Sequence, residues 1–370
     1  MKPKSGLGAV FFGDSPAIRN TSIMIVLFGL FLIYSNWMGV HIRVERERQQ
    51  ALDGAFNETA NLAKAFEEHT LRTIWSADQT ALLLRHQYGV EGRSIDIPRF
   101  IREGLLIDQY SLLSVVDETG ELVASSKIPF VPVNVWDREH FQIHKKTDSG
   151  QLFIGKALLG CSTGKWSIPM TRRINKPDGS FGGVTTVSID PLYFSDFYKQ
   201  VDLGKHSAIA LIGRDGVIRV RESGHSSVEV GRDLSGSPFW AKMENADIGS
   251  FMTTSPIDGV KRFYSFRALP DYPFLVLVGM AEEEVYRELN DRVRGYYWIT
   301  WMNTLVIALF IVLLLGALFR QKRIEDALKE ARDDLEATVE SRTQELHALN
   351  QELTAMNEEH LAMNRELLYF

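Results

Sequence analysis

The stretch Val115-Val116-Asp117-Glu118-Thr119-Gly120-Glu121-Leu122-Val123 aligns without gaps on Leu211-Ile212-Gly213-Arg214-Asp215-Gly216-Val217-Ile218-Arg219, 96 residues downstream. In both copies β-rich apolar runs flank a polar turn that closes on glycine, the pattern of a hairpin. Further turns of this kind stand at Asp178-Gly179 and Asp258-Gly259. Each copy is followed by a helix-like segment with aromatics (137–145 and 237–243) and then by an apolar strand running into an acid (183–190 and 274–282). A tandem α+β module built on antiparallel sheet accounts for this order. Upstream, Leu52, Phe56, Leu62, Phe66, Ile74, Ala77, Ala81 and Leu84 recur at helical spacing among charges, which predicts a long amphipathic stalk helix over 41–90. The expected fold class is α+β, with two tandem antiparallel-sheet modules (91–200 and 201–290) on a long N-terminal stalk helix.

Two uncharged apolar runs enclose this middle. Residues 21–40 and 296–319 are each long enough for a helix to cross a ~30 Å hydrocarbon core, and the second opens on Tyr296, Tyr297, Trp298 and Trp301 as an interfacial belt. The first has a 20-residue lead (1–20) and no small-residue cleavage site before Arg43, Arg46 and Arg48, so it reads as an uncleaved anchor. Basic residues flank both runs on both sides and leave the charge rule nearly silent about orientation. Two spans put both termini on one side of the membrane and residues 41–295 on the other; since the tail reads as a cytoplasmic signalling element, the middle is expected outside the cytoplasm, in a plasma or inner membrane protein.

The net charge of −6 over 370 residues divides into +2 for residues 1–40, −3 for 41–319 and −5 for 320–370. No segment carries the dense basic patch of a nucleic-acid binder. The single cysteine, Cys161, excludes an internal disulfide and a cysteine-based zinc site. In the tail, Leu328, Ala331, Leu335, Val339, Leu346, Leu349, Leu353, Met356, Met363 and Leu367 keep a 3-4 spacing with a stutter between Val339 and Arg342. This predicts a parallel homodimeric coiled coil over 320–370. His347 and His360 lack the surroundings of a phosphoacceptor, and no cyclase signature is present, so no catalytic domain is expected in these residues.

The run Trp136-Asp137-Arg138-Glu139-His140-Phe141, then Gly164-Lys165-Trp166-Ser167-Ile168-Pro169 leading to Arg172-Arg173-Ile174, then Asp178 to Val184, Tyr193 to Tyr198 and Asp215-Gly216 resembles the double Cache sensor domains of bacterial receptors. The likeness covers roughly residues 42–290 and is to sensor halves attached to diguanylate cyclases and histidine kinases. It implies two PAS-like modules on one long helix. The amino-acid-binding branch of that family holds the ligand carboxylate with an Arg-x-Trp-Tyr run and its amine with a later Asp. Arg138 occupies the arginine position, His140 and Phe141 replace the two aromatics, and Ser188 stands where the acid would be, with Asp190 two residues on. These departures argue against an α-amino acid, while the guanidinium of Arg138 suits a carboxylate or other anion. Tyr110, Lys156 and Arg172 or Arg173 complete the candidates, and strand alternation allows only one of that arginine pair to face a pocket.

Other motifs fall away. His140 and His144 have the i, i+4 spacing of a metal pair but no third ligand, so no metal or cofactor is expected. Gly160-Cys161-Ser162-Thr163-Gly164 matches a nucleophile elbow but is followed by strand sequence where a helix is required. Gly150 to Lys156 imitates a phosphate loop, yet Ala157 stands where Ser or Thr should be. The expected function is a dimeric transmembrane receptor, embedded in lipid, that binds a small anionic ligand outside and passes the signal to a cytoplasmic output domain or protein. The alternatives are the front part of a full-length sensor cyclase or histidine kinase, and a membrane-anchored assembly partner without a small-molecule ligand.

Overall fold

The computed structural model describes residues 16–106, 110–160, 164–198, 204–224 and 226–367. Contacts divide the chain into a unit formed by Glu45–Arg292 and a unit formed by Met1–Val44 with Val293–Phe370. Among the described residues five α-helices occur: α1 (Pro16–Glu91), α2 (Ile97–Arg102), α3 (Glu139–Lys146), α4 (Pro191–Tyr198) and α5 (Glu282–Leu367). The expected helix in the second copy is reduced to a 3-10 turn at Trp240–Lys242.

The first sheet contains β1 (Leu112–Asp117), β2 (Leu122–Ser125), β3 (Phe153–Ile154), β4 (Leu158–Leu159), β5 (Trp166–Asn175) and β6 (Phe181–Ile189) in the order β2-β1-β6-β5-β3, with β4 also on β5. The second contains β7 (Ala208–Gly213), β8 (Ile218–Ser223), β9 (Ser226–Glu229), β10 (Ile248–Thr254), β11 (Lys261–Ala268) and β12 (Phe274–Ala281) in the order β10-β11-β12-β7-β8-β9. Every pairing is antiparallel. Four strands therefore follow the same order in both sheets, β2-β1-β6-β5 and β8-β7-β12-β11.

The internal repeat is reproduced to the residue. The β1–β2 ladder slips between Val115 and Val116, and the β7–β8 ladder slips between Leu211 and Ile212, at the offset read from sequence. Gly120 and Gly216 close the two turns at φ +89° and +77°, a region that only glycine enters without strain. Both also pass close to the returning chain, whose Val135 and Leu234 amides donate to the Gly120 and Gly216 carbonyls at 2.8 and 2.9 Å.

Both sheets lay one face on α1. Ala63, Phe66, Ile74, Ala77, Ala81 and Leu84 are fully buried there, against Leu113, Val115, Ile168, Met170 and Val187 of the first sheet and Ile209, Leu211, Val276 and Val278 of the second. Alanine at three of these six positions lets the strands come close, and each large side chain buried contributes about 1.5–3 kcal/mol. Polar groups fix the register of the helix on the sheets: Thr185 Oγ1 donates to the Ala81 carbonyl at 3.1 Å, Thr59 and Ser265 share a 2.8 Å hydroxyl bond, and Arg172 and Arg267 pair with Asp78 and Glu67.

The opposite faces differ. On the second sheet, Ile212, Ile218, Phe239, Trp240, Met243, Tyr264, Phe266 and Leu277 belong to one packed cluster. On the first, the buried cluster consists of Val116, Phe141 and Val184. Beside this cluster Thr171 is covered by His140 and His144, and the rest of that face opens into a cavity.

In the other unit, two helical stretches are long and apolar enough to cross a membrane, with mean hydropathy of 2.0 and 2.6 in their most apolar windows. They pack through small and polar groups, as membrane helices do: Asn36 Nδ2 donates to the Thr300 carbonyl at 3.3 Å, Trp37 Nε1 donates to Thr304 Oγ1 at 3.2 Å, and Trp37 stands edge-on to Trp301. Beyond them, Leu328, Leu335, Val339, Leu346, Leu349, Leu353, Met356 and Met363 of α5 are all exposed.

Candidate ligand-binding site

Strand register builds the hollow face of the first sheet row by row. Leu112, Ser188 and Pro169 lie side by side, then Ser114, Thr186 and Thr171, then Val116, Val184 and Arg173. Period-two alternation points all of these away from α1. Over the first two rows lies a cavity of about 60 Å³, walled by Leu122, Val133, Val135, Arg138, His140, Leu158, Gly160 and Ser167 as well as by the strand residues. An open mouth of about 340 Å³ shares Arg138, His140, Leu158 and Pro169 with it and adds Asp137, Glu139, Gly155 and Lys156.

Arg138 is delivered by the start of α3. It holds the N-cap position in extended conformation, its carbonyl accepting the Phe141 and Gln142 amides at 3.0 Å, while its side chain makes no capping bond. The residue lines the cavity wall. His140 is two residues further on and buried; burial first, then the charge of Arg138 and of His144, pushes its pKa down from 6.5 to about 4, against a smaller upward pull from Asp137. The imidazole is neutral at physiological pH and offers one donor and one acceptor. Ser114, Ser167, Thr186 and Ser188 supply four buried hydroxyls. Among the described residues no protein group hydrogen-bonds to these hydroxyls.

Of the residues expected from sequence, Arg138, His140 and Ser188 meet in the cavity and Lys156 reaches its mouth. The other four lie elsewhere. Phe141 is fully buried behind α3, edge-on to Phe181. Asp190 does not continue the strand face of Ser188, because β6 ends at Ile189; its carboxylate accepts the Leu192 amide at 2.9 Å in the first turn of α4. Tyr110 and Arg172 face α1: the tyrosine hydroxyl bonds Ser76 at 3.0 Å, and Arg172 is held by Asp78 and by the Gly150 carbonyl. Arg173 takes the cavity-side parity but is drawn under α3, donating to the His144 carbonyl and covering the Phe181 ring.

Sequence reasoning missed Ser114, Ser167 and Thr186. Thr186 follows from Ser188 by alternation, whereas Ser114 and Ser167 needed the strand register. The His140–His144 pair does not converge on an ion site: His144 Nε2 donates to the Thr171 carbonyl at 3.1 Å, and no cluster with metal-ligand geometry occurs among the described residues. The elbow-like Cys161-Ser162-Thr163 lies outside the described residues.

A buried neutral histidine sets a pH dependence. The unfolded chain protonates His140 near 6.5 and the folded chain only near 4, so the unfolded state binds the extra proton between these values. The resulting stability is present in full above about pH 6.5 and is lost as pH falls toward 4. His144 and His69, also lowered by burial, act in the same direction. Melting temperature measured from pH 7.5 to 4.5 should therefore decline, and His140→Asn should flatten the decline; an unchanged slope in that variant would show that His140 is not the group responsible.

Residues 191–279 match the family described as dCache_1-like, histidine kinase sensor domain. Among solved structures the chain is similar to the extracellular domain of rpHK1S-Z16, described as a histidine kinase, at 28% identity and a TM-score of 0.55, over 63% of this chain and 97% of that one. It is also similar to the ligand-binding domain of the Campylobacter jejuni chemoreceptor Tlp3 in complex with L-norvaline (13% identity, TM-score 0.43, 64% and 94% of the chains). A further match is the sensor domain of the V. cholerae histidine kinase DctB (16%, 0.38, 64% and 96%). No curated protein sequence matches the chain.

Proposed function

We propose, from the Cache sensor domain that the chain carries, that it is the sensory half of a dimeric transmembrane receptor whose first sheet binds a small anionic ligand outside the cytoplasm. One observation carries this reading: the outer face of the first sheet opens into a cavity of about 60 Å³ lined by Arg138, His140 and hydroxyls, whereas the equivalent face of the second is packed with Phe239, Trp240, Tyr264 and Phe266 and keeps a cavity of only about 10 Å³. The same fold thus makes one module a receptor and the other a relay.

Two contacts suit the relay. Lys156 at the mouth stands 3.9 Å from Asp215 in the repeated turn of the second sheet, so an anion that recruits Lys156 competes with that pair. At the far end, β12 runs directly into α5, where Glu284 accepts the His206 amide at 2.9 Å and the Ser207 hydroxyl at 3.0 Å, and Lys261 pairs with Glu282. Displacement of the sheet is then displacement of the helix. The exposed apolar seam of α5 favours a second copy as its cover in a parallel coiled coil, with an output domain or protein beyond it. A ligand drives such a change only through different affinities for the two arrangements.

The test uses the whole chain in lipid nanodiscs with a panel of small carboxylates. A ligand that binds the folded state raises its melting temperature by mass action, and spin labels on Leu335→Cys should report a changed intersubunit distance when it does. If no small anion raises the melting temperature, the chain is instead an anchored assembly partner.

A further inference from the structure

A network of polar groups joins the two apolar helical stretches, and its connectivity decides how they can move against each other, on the reading that residues 21–40 and 296–319 both cross a membrane. Trp37 Nε1 donates to Thr304 Oγ1 at 3.2 Å, the Thr304 hydroxyl donates to the Thr300 carbonyl at 2.8 Å, and Asn36 Nδ2 donates to that same carbonyl at 3.3 Å. Two adjacent residues of α1 thus grip one turn of α5. The Trp37 ring is held as well, edge-on to Trp301 at 5.5 Å and beside Tyr297 at 6.3 Å. Seven residues after Asn36, Arg43 lies over the Tyr296 ring at 4.6 Å. Seven residues before it, Gly29 is buried, and Ile311 fills the space that a side chain there would take. Thr304 and Ile311 are also seven apart, so all these contacts belong to one register of two antiparallel helices.

The contacts differ in what replaces them when the helices move. Lipid tails substitute for an apolar contact such as Gly29–Ile311 at little cost, being as apolar as the side chain they displace. Hydrocarbon offers no acceptor to the donors of Asn36 and Trp37. Sliding by one helical turn breaks both interhelical bonds and sets Ile25 or Ile33 against Ile311, where Gly29 had left room. Tilting about the level of Asn36 and Thr300 keeps the bonds and opens only the apolar end. We propose that Asn36, Trp37, Thr300 and Thr304 form a register clasp, which bars α5 from sliding along α1 inside the membrane and serves as the pivot for movement of one helix against the other.

Cysteine cross-linking reads the register directly. The whole chain carrying Cys161→Ser is reconstituted in bilayers with an excess of its cysteine-free form, so that cross-links form within one chain. Gly29→Cys is combined in turn with Ile311→Cys, which keeps the register, and with Ile307→Cys or Leu315→Cys, each one turn away. The first pair should cross-link about sevenfold or more faster than either shifted pair, the bias that two interhelical bonds of average strength supply. Asn36→Leu with Trp37→Phe removes both donors while keeping the spans apolar, and the bias should then fall toward parity. Parity with the clasp intact, or an unchanged bias without it, would overturn the clasp. Spin-label pairs test the pivot: Met38→Cys with Met302→Cys, beside the clasp, should give a narrower distance distribution than Met24→Cys with Leu314→Cys at the far end, and equal widths would overturn it. If no pair gives an intrachain product, the two stretches do not lie side by side in a bilayer, and the reading of two spans falls with the clasp.

Discussion

Arg138→Ala is expected to weaken binding of a small carboxylate by about 2–5 kcal/mol, from thirtyfold to several thousandfold, the usual loss when one member of a desolvated charge pair is truncated. Three features make the result interpretable. The side chain does not cap α3, whose first turn is held by the Arg138 carbonyl, so alanine keeps the helix start. Phe141 and His144, which anchor α3 to the sheet, are untouched. Arg138→Lys keeps the charge but loses the planar fork, so its affinity should fall between wild type and alanine. His140 adds a second signature: with Arg138 gone, one of the charges that depress its pKa disappears, so the gap between its folded and unfolded pKa narrows and the acid decline of the stability profile should become shallower. Calorimetric titration of wild type and both variants checks the order; full affinity in Arg138→Ala would remove the site from this cavity.

How far the sequence carried depends on whether a residue's role is local. The repeated hairpins were legible because a tight turn needs left-handed glycine at Gly120 and Gly216, and that requirement survives any tertiary context. The stalk was legible because Phe66, Ile74, Ala77, Ala81 and Leu84 obey one period. Arg138 and His140 were found through their place in a motif at a helix start. Ser114 and Ser167 were hidden because their neighbours are set by strand register, which no local pattern encodes. Arg172 was misplaced because alternation gives parity without saying which face meets α1. Asp190 carried a readable signal, an acid directly before Pro191 at a helix start, which outweighs its parity with Ser188. The hollow face itself was beyond reach, since it follows from a comparison of two packed faces.

A different chemistry governs stability in the second sheet. Asp258 accepts from Arg262 Nη1 and Nη2 at 2.9 and 2.8 Å and from Arg221 Nη2 at 2.5 Å, and the two arginines are almost fully buried. Burial alone would raise the Asp258 carboxyl, but the bonds from Arg262, Ser255 and Arg221 more than reverse this and hold it below the usual carboxylate range. Asp258→Ala leaves the buried Arg262 without a carboxylate and Arg221 with only Glu229, at 3.7 Å, and breaking a buried pair from one side costs about 3–5 kcal/mol. For a domain of this size that corresponds to roughly 2–4 °C per kcal/mol, so the melting temperature should drop by at least about 6 °C. Arg262 also donates to the His206 carbonyl, next to the residues that Glu284 of α5 grips, so the loss should loosen the junction between β12 and α5. The control is Arg214–Asp247, an ion pair whose acid is 81% exposed; Asp247→Ala should change stability by no more than about 1 kcal/mol. Equal melting temperatures for the two alanine variants would mean that the arginines find other partners and that the Asp258 network does not hold the sheet.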